Sequence, residues 1–280
     1  MYPGNHAKTS PDKAAAISAR TGEVITYAEL DARSSRLAQL LWSDGLRRGD
    51  HLAVFLENHL RYFEVAWAAL RSGLYLTTVN RYLTAPEAAY IVDDCGARVL
   101  VSSRAVHEQT AGIPHRAPGC RRFLVVDGPP EGASDCFESY EAAVAGYAPE
   151  PLEEEPLGEF MLYSSGTTGR PKGIARPLPD RPVSQGLAMN PVLKGLFRVE
   201  ADSVYLSPAP LYHSAPIGFC TSMQSLGGTV VMMERFDALE ALRALEKYAV
   251  THSQWVPTMF SRMLKLPEQE RTGFDLSAHR

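Results

Sequence analysis

The chain has 280 residues, enough for a sizeable buried core and for about two domains or one large α/β unit. Hydrophobic residues make up 45% and charged residues 21%, ordinary globular values that exclude a disordered or collagen-like chain. The formal net charge of −4 argues against a nucleic-acid partner, because backbone binding needs a basic face.

In chain order, the N-terminus from Met1 to Lys8 lacks an apolar core and does not read as a signal peptide. Thr26-Tyr-Ala-Glu29 is a capping-box pattern. It predicts an amphipathic helix carrying Leu30, Leu37, Leu40 and Leu41, ending near Gly45. His51–Leu56 predicts a buried strand, residues 60–72 a helix stopped at Gly73, and Leu74–Val79 another strand. Thr84-Ala-Pro-Glu87 opens a further helix, with proline where its missing N–H does no harm. Arg98–Val101 and Arg122–Val126 predict strands. Strands separated by helices give the expected fold class: α/β, layered, with largely parallel sheets and crossover helices.

The segments 127–135 and 149–158 are rich in proline, glycine and acid, and Glu150–Pro156 predicts a solvated linker. A subdivision is expected near 150–158 or 180–200. Beyond it the pattern predicts a buried strand at 159–163, a helix near 184–197, a strand at 203–207 and a helix at 214–225. A strand at 228–233, a helix at 237–248, a strand at 251–255 and a helix from about 257 follow. Ser203–Met233 carries no charged side chain, but its prolines and glycines break it into loops, a strand and a helix. No integral membrane segment is expected, since one needs about 20 predominantly apolar residues. The four cysteines, Cys95, Cys120, Cys136 and Cys220, form no C-x-x-C pair, and reduced thiols imply a cytoplasmic protein.

Tyr163-Ser-Ser-Gly-Thr-Thr-Gly-Arg-Pro-Lys-Gly173 is the most informative segment. Gly166, Gly169 and Gly173 permit tight bends and close backbone approach. Ser164, Ser165, Thr167 and Thr168 supply four hydroxyls, and Lys172 adds a mobile positive charge. Exposed N–H groups in such a turn cradle an anion, so the loop suits a polyphosphate. The alternative from composition alone is a flexible surface turn. The NTPase phosphate loop is excluded: counting from Gly166, its second glycine would fall on Pro171.

This segment resembles the phosphate-loop signature of the adenylate-forming, AMP-binding enzymes, which include acyl-CoA synthetases, luciferases and peptide-synthetase adenylation domains. Thr21–Leu30, Gly49–Val54 with Glu57-Asn58, Pro210-Leu-Tyr-His213, Gly227–Val230, Phe236-Asp237 and Val256–Met259 also resemble that family's segments, in order. The resemblance spans nearly the whole chain. It implies an acyl-CoA synthetase that joins a carboxylic acid to ATP as an acyl-adenylate and then transfers the acyl group to coenzyme A.

The resemblance also implies residue roles. Ser164, Ser165, Thr167 and Thr168 would hold the β- and γ-phosphates, with Gly166 and Gly169 supplying backbone approach. Lys172 would balance charge on the departing pyrophosphate. Mg²⁺ would accompany ATP, with Thr167 as a metal contact. His213 would sit beside the acid carboxylate and the α-phosphate; a lone histidine is otherwise a hydrogen-bonded structural residue. Tyr212, Trp255, Pro257 and Thr258 would line the acyl pocket, although Trp255 equally suits core packing. Arg176, just after the loop, reads as a surface charge, with a second phosphate contact as the alternative.

Other catalytic patterns fail. Ser10–Lys13 fits S-x-x-K without its partner motifs. His107-Glu108 lacks the second histidine of a zinc-protease helix, because position 111 is alanine. Family members run to about twice this length, so residues 1–280 are expected to be part of the large N-terminal domain, without the small C-terminal domain and its mobile catalytic lysine. Within the ligase reading, a fatty or aromatic acid substrate stands ahead of an amino-acid adenylation domain. A non-catalytic nucleotide- or acyl-binding module is the alternative from another class, and a phosphotransferase a weaker third. The identity of the acid and the oligomeric state are not legible in the sequence.

Overall fold

The computed structural model describes residues 1–164 and 170–280. The chain opens with α1 (Pro3–Thr9), β1 (Ala14–Ser18), β2 (Val24–Thr26) and α2 (Tyr27–Ser43). It continues through β3 (His51–Phe55), α3 (Arg61–Arg71), β4 (Tyr75–Thr78), α4 (Ala85–Asp94) and β5 (Ala97–Ser103). Two single-turn helices, α5 (His107–Thr110) and α6 (Ile113–Arg116), lead to β6 (Arg122–Val126), β7 (Phe137–Ser139) and α7 (Tyr140–Ala145). Then come β8 (Glu159–Ser164), β9 (Lys172–Ala175), α8 (Asn190–Gly195), β10 (Val204–Ser207) and α9 (Ser214–Leu226). The last elements are β11 (Thr229–Met232), α10 (Ala238–Lys247), β12 (His252–Ser253), α11 (Pro257–Leu264) and α12 (Glu268–Arg271). Internal contacts divide the chain into two compact units: Met1–Leu30, Asn58–Leu60 and Gly186–Arg280 form one, and Asp31–Glu57 with Arg61–Gln185 form the other.

The first unit holds a five-stranded sheet in the order β12-β10-β11-β1-β2. Its pairs are parallel except β1 with β2. All four residues of β11 are buried, as a central parallel strand requires. Asp237 caps α10 by accepting the backbone N–H groups of Leu239 and Glu240, both at 3.0 Å. One face of α10, including Ala241, Leu242 and Leu245, packs on Leu206, Val231 and Met233. Each buried leucine contributes about 1.5–3 kcal/mol. Helix α9 ends at Gly227, whose φ of 90° favours glycine; a Cβ there would also stand 2.9 Å from the His6 ring.

The second unit holds a seven-stranded sheet in the order β7-β6-β5-β3-β4-β8-β9. Every neighbouring pair is parallel except β8 with β9. The helix openings in the two units follow the sequence: Thr26 in the first and Thr84 in the second each donate a backbone N–H to a glutamate three residues on, at 2.8 and 2.9 Å. Glu64 on α3 is fully buried and accepts from Arg33 Nε at 2.6 Å, Arg61 at 2.9 Å and the Tyr140 hydroxyl at 3.0 Å. Burial works against the Arg33 charge, but Glu64 and Glu141 outweigh it and hold the guanidinium above its ordinary pKa. Arg71 is also buried and pairs with Asp31 at 2.9 Å and Glu155 at 2.5 Å. Such clusters are costly to break, because a lost partner strands a buried charge.

The α/β class with largely parallel sheets is therefore what the chain adopts. Several local expectations need correction. The predicted helix over 184–197 is a short 3-10 turn at Val183–Gln185 and the six-residue α8; Gly186, at φ 83°, and Pro191 interrupt it. The strand expected at 251–255 is ordered as β12 only at His252–Ser253. Strand β8 is half-buried, not buried, because only β9 separates it from the sheet edge. The linker reading holds for the exposed Glu150, Pro151, Glu153 and Glu154 but fails at its end. There Glu155 pairs with Arg71, Pro156 bridges Pro182, and Leu157 is buried.

Candidate functional site

Strands β8 and β9, on either side of residues 165–169, pair antiparallel. Their register pairs Ser164 with Lys172, Tyr163 with Gly173, Leu162 with Ile174 and Met161 with Ala175. Lys172, predicted to meet phosphate, therefore stands opposite Ser164, with both residues exposed at the mouth of the loop. Ser165, Gly166, Thr167, Thr168 and Gly169 lie outside the described residues. Gly173 is closely packed: a Cβ there would displace the end of the Met161 side chain and stand 2.9 Å from Tyr163 Cζ. Arg176 is exposed, and its carbonyl accepts the Tyr75 hydroxyl at 2.7 Å.

The arms of the hairpin meet the C-terminal end of α4. The Tyr163 hydroxyl donates to Asp94 Oδ2 at 2.6 Å. Burial, then this carboxylate, holds the Tyr163 pKa above the ordinary tyrosine range. The Tyr90 hydroxyl lies 3.3 Å from Asp94 Oδ1 and 3.3 Å from the Pro171 carbonyl. The Arg170 guanidinium sits 5.3 Å over the Tyr90 ring.

The second predicted group lies in the other unit. His213 is the residue before α9, in extended conformation, with its side chain partly exposed. Its ring stands 4.3 Å from that of Tyr212. Partial burial lowers the His213 pKa, which favours the neutral imidazole, able to offer one donor and one acceptor. Asn58 fixes the backbone leading into this pair. Its Nδ2 donates to the carbonyls of Ala209 at 3.0 Å and Met233 at 2.8 Å, while Oδ1 accepts Leu211 N–H at 2.8 Å. Trp255 is half-buried, packs against the Leu206–Val231 core, and donates Nε1–H to Ser253 Oγ at 2.6 Å. Pro257 and Thr258 open α11 and are exposed.

Two contributors escape a motif reading. Asn58 sits within the segment compared with a core strand, and only the folded backbone reveals what its amide holds. Asp94 carried a legible signal, an acid at a helix C-terminus, where the dipole disfavours it.

A sequence model of the family described as AMP-binding enzyme matches residues 4–280. The chain is similar to the fatty acid–[acyl-carrier-protein] ligase ScoC of Streptomyces coeruleorubidus, at 28% identity over 269 residues, covering 94% of this chain and 48% of that protein. It is also similar to a feruloyl-CoA synthase of an Amycolatopsis species, at 32% identity over 269 residues, covering 95% of this chain and 50% of that one. In fold it is similar to the inhibitor-bound N-terminal domain of FACL13 from Mycobacterium tuberculosis, with a TM-score of 0.82 at 23% identity, covering 99% of this chain and 67% of that one. The chain spans about half the length of these two curated relatives.

Proposed function

The chain belongs to the AMP-binding enzyme family, and from that premise we propose that it is the phosphate-loop-bearing part of an ATP-dependent carboxylate–thiol ligase. The complete enzyme would activate a fatty or aromatic carboxylic acid as its acyl-adenylate, releasing pyrophosphate, and then form the coenzyme A thioester. One observation carries the reading: the β8–β9 hairpin sets Ser164 against Lys172 at the mouth of the Ser165–Gly169 loop. A hydroxyl and an ammonium facing each other suit the two ends of a polyphosphate grip.

In this reading Ser164, Ser165, Thr167 and Thr168 bind the β- and γ-phosphates. Gly166 and Gly169 let the backbone N–H groups approach, and Lys172 neutralises charge on the leaving pyrophosphate. Mg²⁺ would supply further neutralisation of the phosphates when bound. Among the described residues no group of three or more His, Cys, Asp or Glu side chains could hold a metal ion. Mg²⁺ ordinarily binds largely through substrate phosphates, and Thr167 is assigned as its protein contact. Neutral His213 orients the acid carboxylate, and Tyr212, Trp255, Pro257 and Thr258 line the acyl pocket.

The thiol acceptor is assigned to coenzyme A, as for the feruloyl-CoA synthase; the carrier-protein ligase supplies the competing acceptor. No helix among the described residues is long and apolar enough to cross a membrane. The four free cysteines suit a reducing cytoplasm. The competing reading is that these residues bind nucleotide without catalysis.

The test is acid-dependent ATP–pyrophosphate exchange, run on the folded chain and on a full-length protein containing it, with short, long and aromatic acids. Exchange with AMP as product supports the ligase. ATP binding without exchange in either protein supports the binding module, and ADP as product points to phosphoryl transfer. Within the full-length protein, Lys172→Ala is expected to slow adenylation about tenfold or more while leaving acid affinity within about twofold. An unchanged rate contradicts the role given to Lys172.

A further inference from the structure

Helix α4 ends in two adjacent carboxylates, Asp93 and Asp94, with no basic residue in its last turn. Negative charge at a helix C-terminus opposes the macrodipole, so the helix by itself disfavours both. Locally unfavourable choices of this kind concentrate where something else uses the residue. The two aspartates differ in what they meet. Asp94 Oδ2 takes the Tyr163 hydroxyl at 2.6 Å, and its Oδ1 faces the Tyr90 hydroxyl at 3.3 Å. Tyr90 in turn reaches the Pro171 carbonyl at 3.3 Å.

These contacts fall on both arms of one hairpin. Tyr163 immediately precedes Ser164 on the incoming arm, and Pro171 immediately precedes Lys172 on the outgoing arm. We propose that Asp94 is a positioning residue for the loop: it holds the incoming arm through Tyr163, whose strand pairs with the outgoing arm, and so sets Ser164 and Lys172 for a polyphosphate ligand. This inference rests on the phosphate reading of the loop. A carboxylate repels polyphosphate, so the contribution of Asp94 passes through Tyr163. The single Tyr90 proton serves either Asp94 or Pro171, and the charged hydrogen bond to Tyr163 is the stronger tie. Gly173 belongs to the same device, because the Tyr163 ring occupies the space its Cβ would need.

The experiment compares Asp94→Ala and Tyr163→Phe with Asp93→Ala. Both aspartate variants remove one negative charge from the same helix end, so they share the dipole effect. Only Asp94 carries the bonds to Tyr163 and Tyr90. The readouts are amide hydrogen exchange over residues 172–175 and the Kd for Mg-ATP, each on the folded 280-residue chain. Asp94→Ala and Tyr163→Phe are expected to speed exchange in β9 and weaken Mg-ATP, each by about tenfold, with Asp93→Ala within about twofold of wild type. If Asp94→Ala behaves as Asp93→Ala does in exchange and in affinity, the assignment is overturned. Should Asp94→Ala fail to fold, Tyr163→Phe decides by the same two readouts. If the folded wild-type chain binds no Mg-ATP, the phosphate reading is what fails, and the exchange comparison alone decides whether Asp94 holds the hairpin.

Discussion

At the scale of single residues, the carboxamide of Asn58 has its full purpose in three backbone groups. It satisfies Ala209, Leu211 and Met233 at once from a nearly buried position, at 6% exposure. Each bond contributes about 0.5–1.5 kcal/mol net, and orphaning a buried partner costs about 1–3 kcal/mol. Asn58→Ala is therefore expected to lower stability by about 2–4 kcal/mol, read as a shift in denaturant midpoint at constant slope. Asn58→Asp should not restore it, since its second oxygen would face the Ala209 and Met233 carbonyls in place of a donor. A midpoint unchanged in both variants contradicts the anchoring described for the Tyr212–His213 approach.

At the scale of elements, the turn into β8 depends on Gly158. A Cβ there would stand 2.8 Å from the Ala69 carbonyl and 3.0 Å from Leu74 N, and would collide with the Leu74 carbonyl. Backbone cannot yield as a flexible side chain can, so Gly158→Ala is expected to cost about 3 kcal/mol or more. A variant with wild-type thermal stability contradicts the close approach. Gly158 was legible only as part of a linker, because the atoms that exclude a side chain come from residues far away in sequence. The elements with strong local signals were read correctly: the capping boxes at Thr26 and Thr84 and the amphipathic α10 each start where their caps stand. The misread stretch at 184–197 has helical periodicity, which Gly186 and Pro191 override. Strand β9 follows a loop of glycines and hydroxyls and has no alternating pattern; it exists because β8 offers it an edge. Within the candidate site, the loop's chemistry could be read from composition and order. The pairing of Ser164 with Lys172 could not, since register is a property of the folded hairpin.

At the scale of the whole molecule, two partly buried histidines contribute to the response to acid. Burial lowers the His6 pKa, with the N-terminus and Lys13 acting in the same direction against the bond to the Ser225 carbonyl. Burial lowers His51 as well, against the opposing charge of Asp50. A depressed histidine binds fewer protons folded than unfolded, so stability rises with pH through this window. It is complete above about pH 6.5, the unfolded value, and is lost as pH falls toward the folded values. The melting temperature is expected to be flat from about pH 7 to 8 and to fall between about pH 6.5 and 5.5, before most carboxylates titrate. A melting temperature that rises over that acid window contradicts the two histidine environments. A polyphosphate grip by residues 164–172 is tested by calorimetric titration of the folded chain with Mg-ATP, wild type against Lys172→Ala. Saturable binding is expected, displaced by pyrophosphate and about tenfold weaker without the Lys172 charge, at unchanged melting temperature. A folded chain that binds no Mg-ATP, or binds it equally well without Lys172, would contradict it.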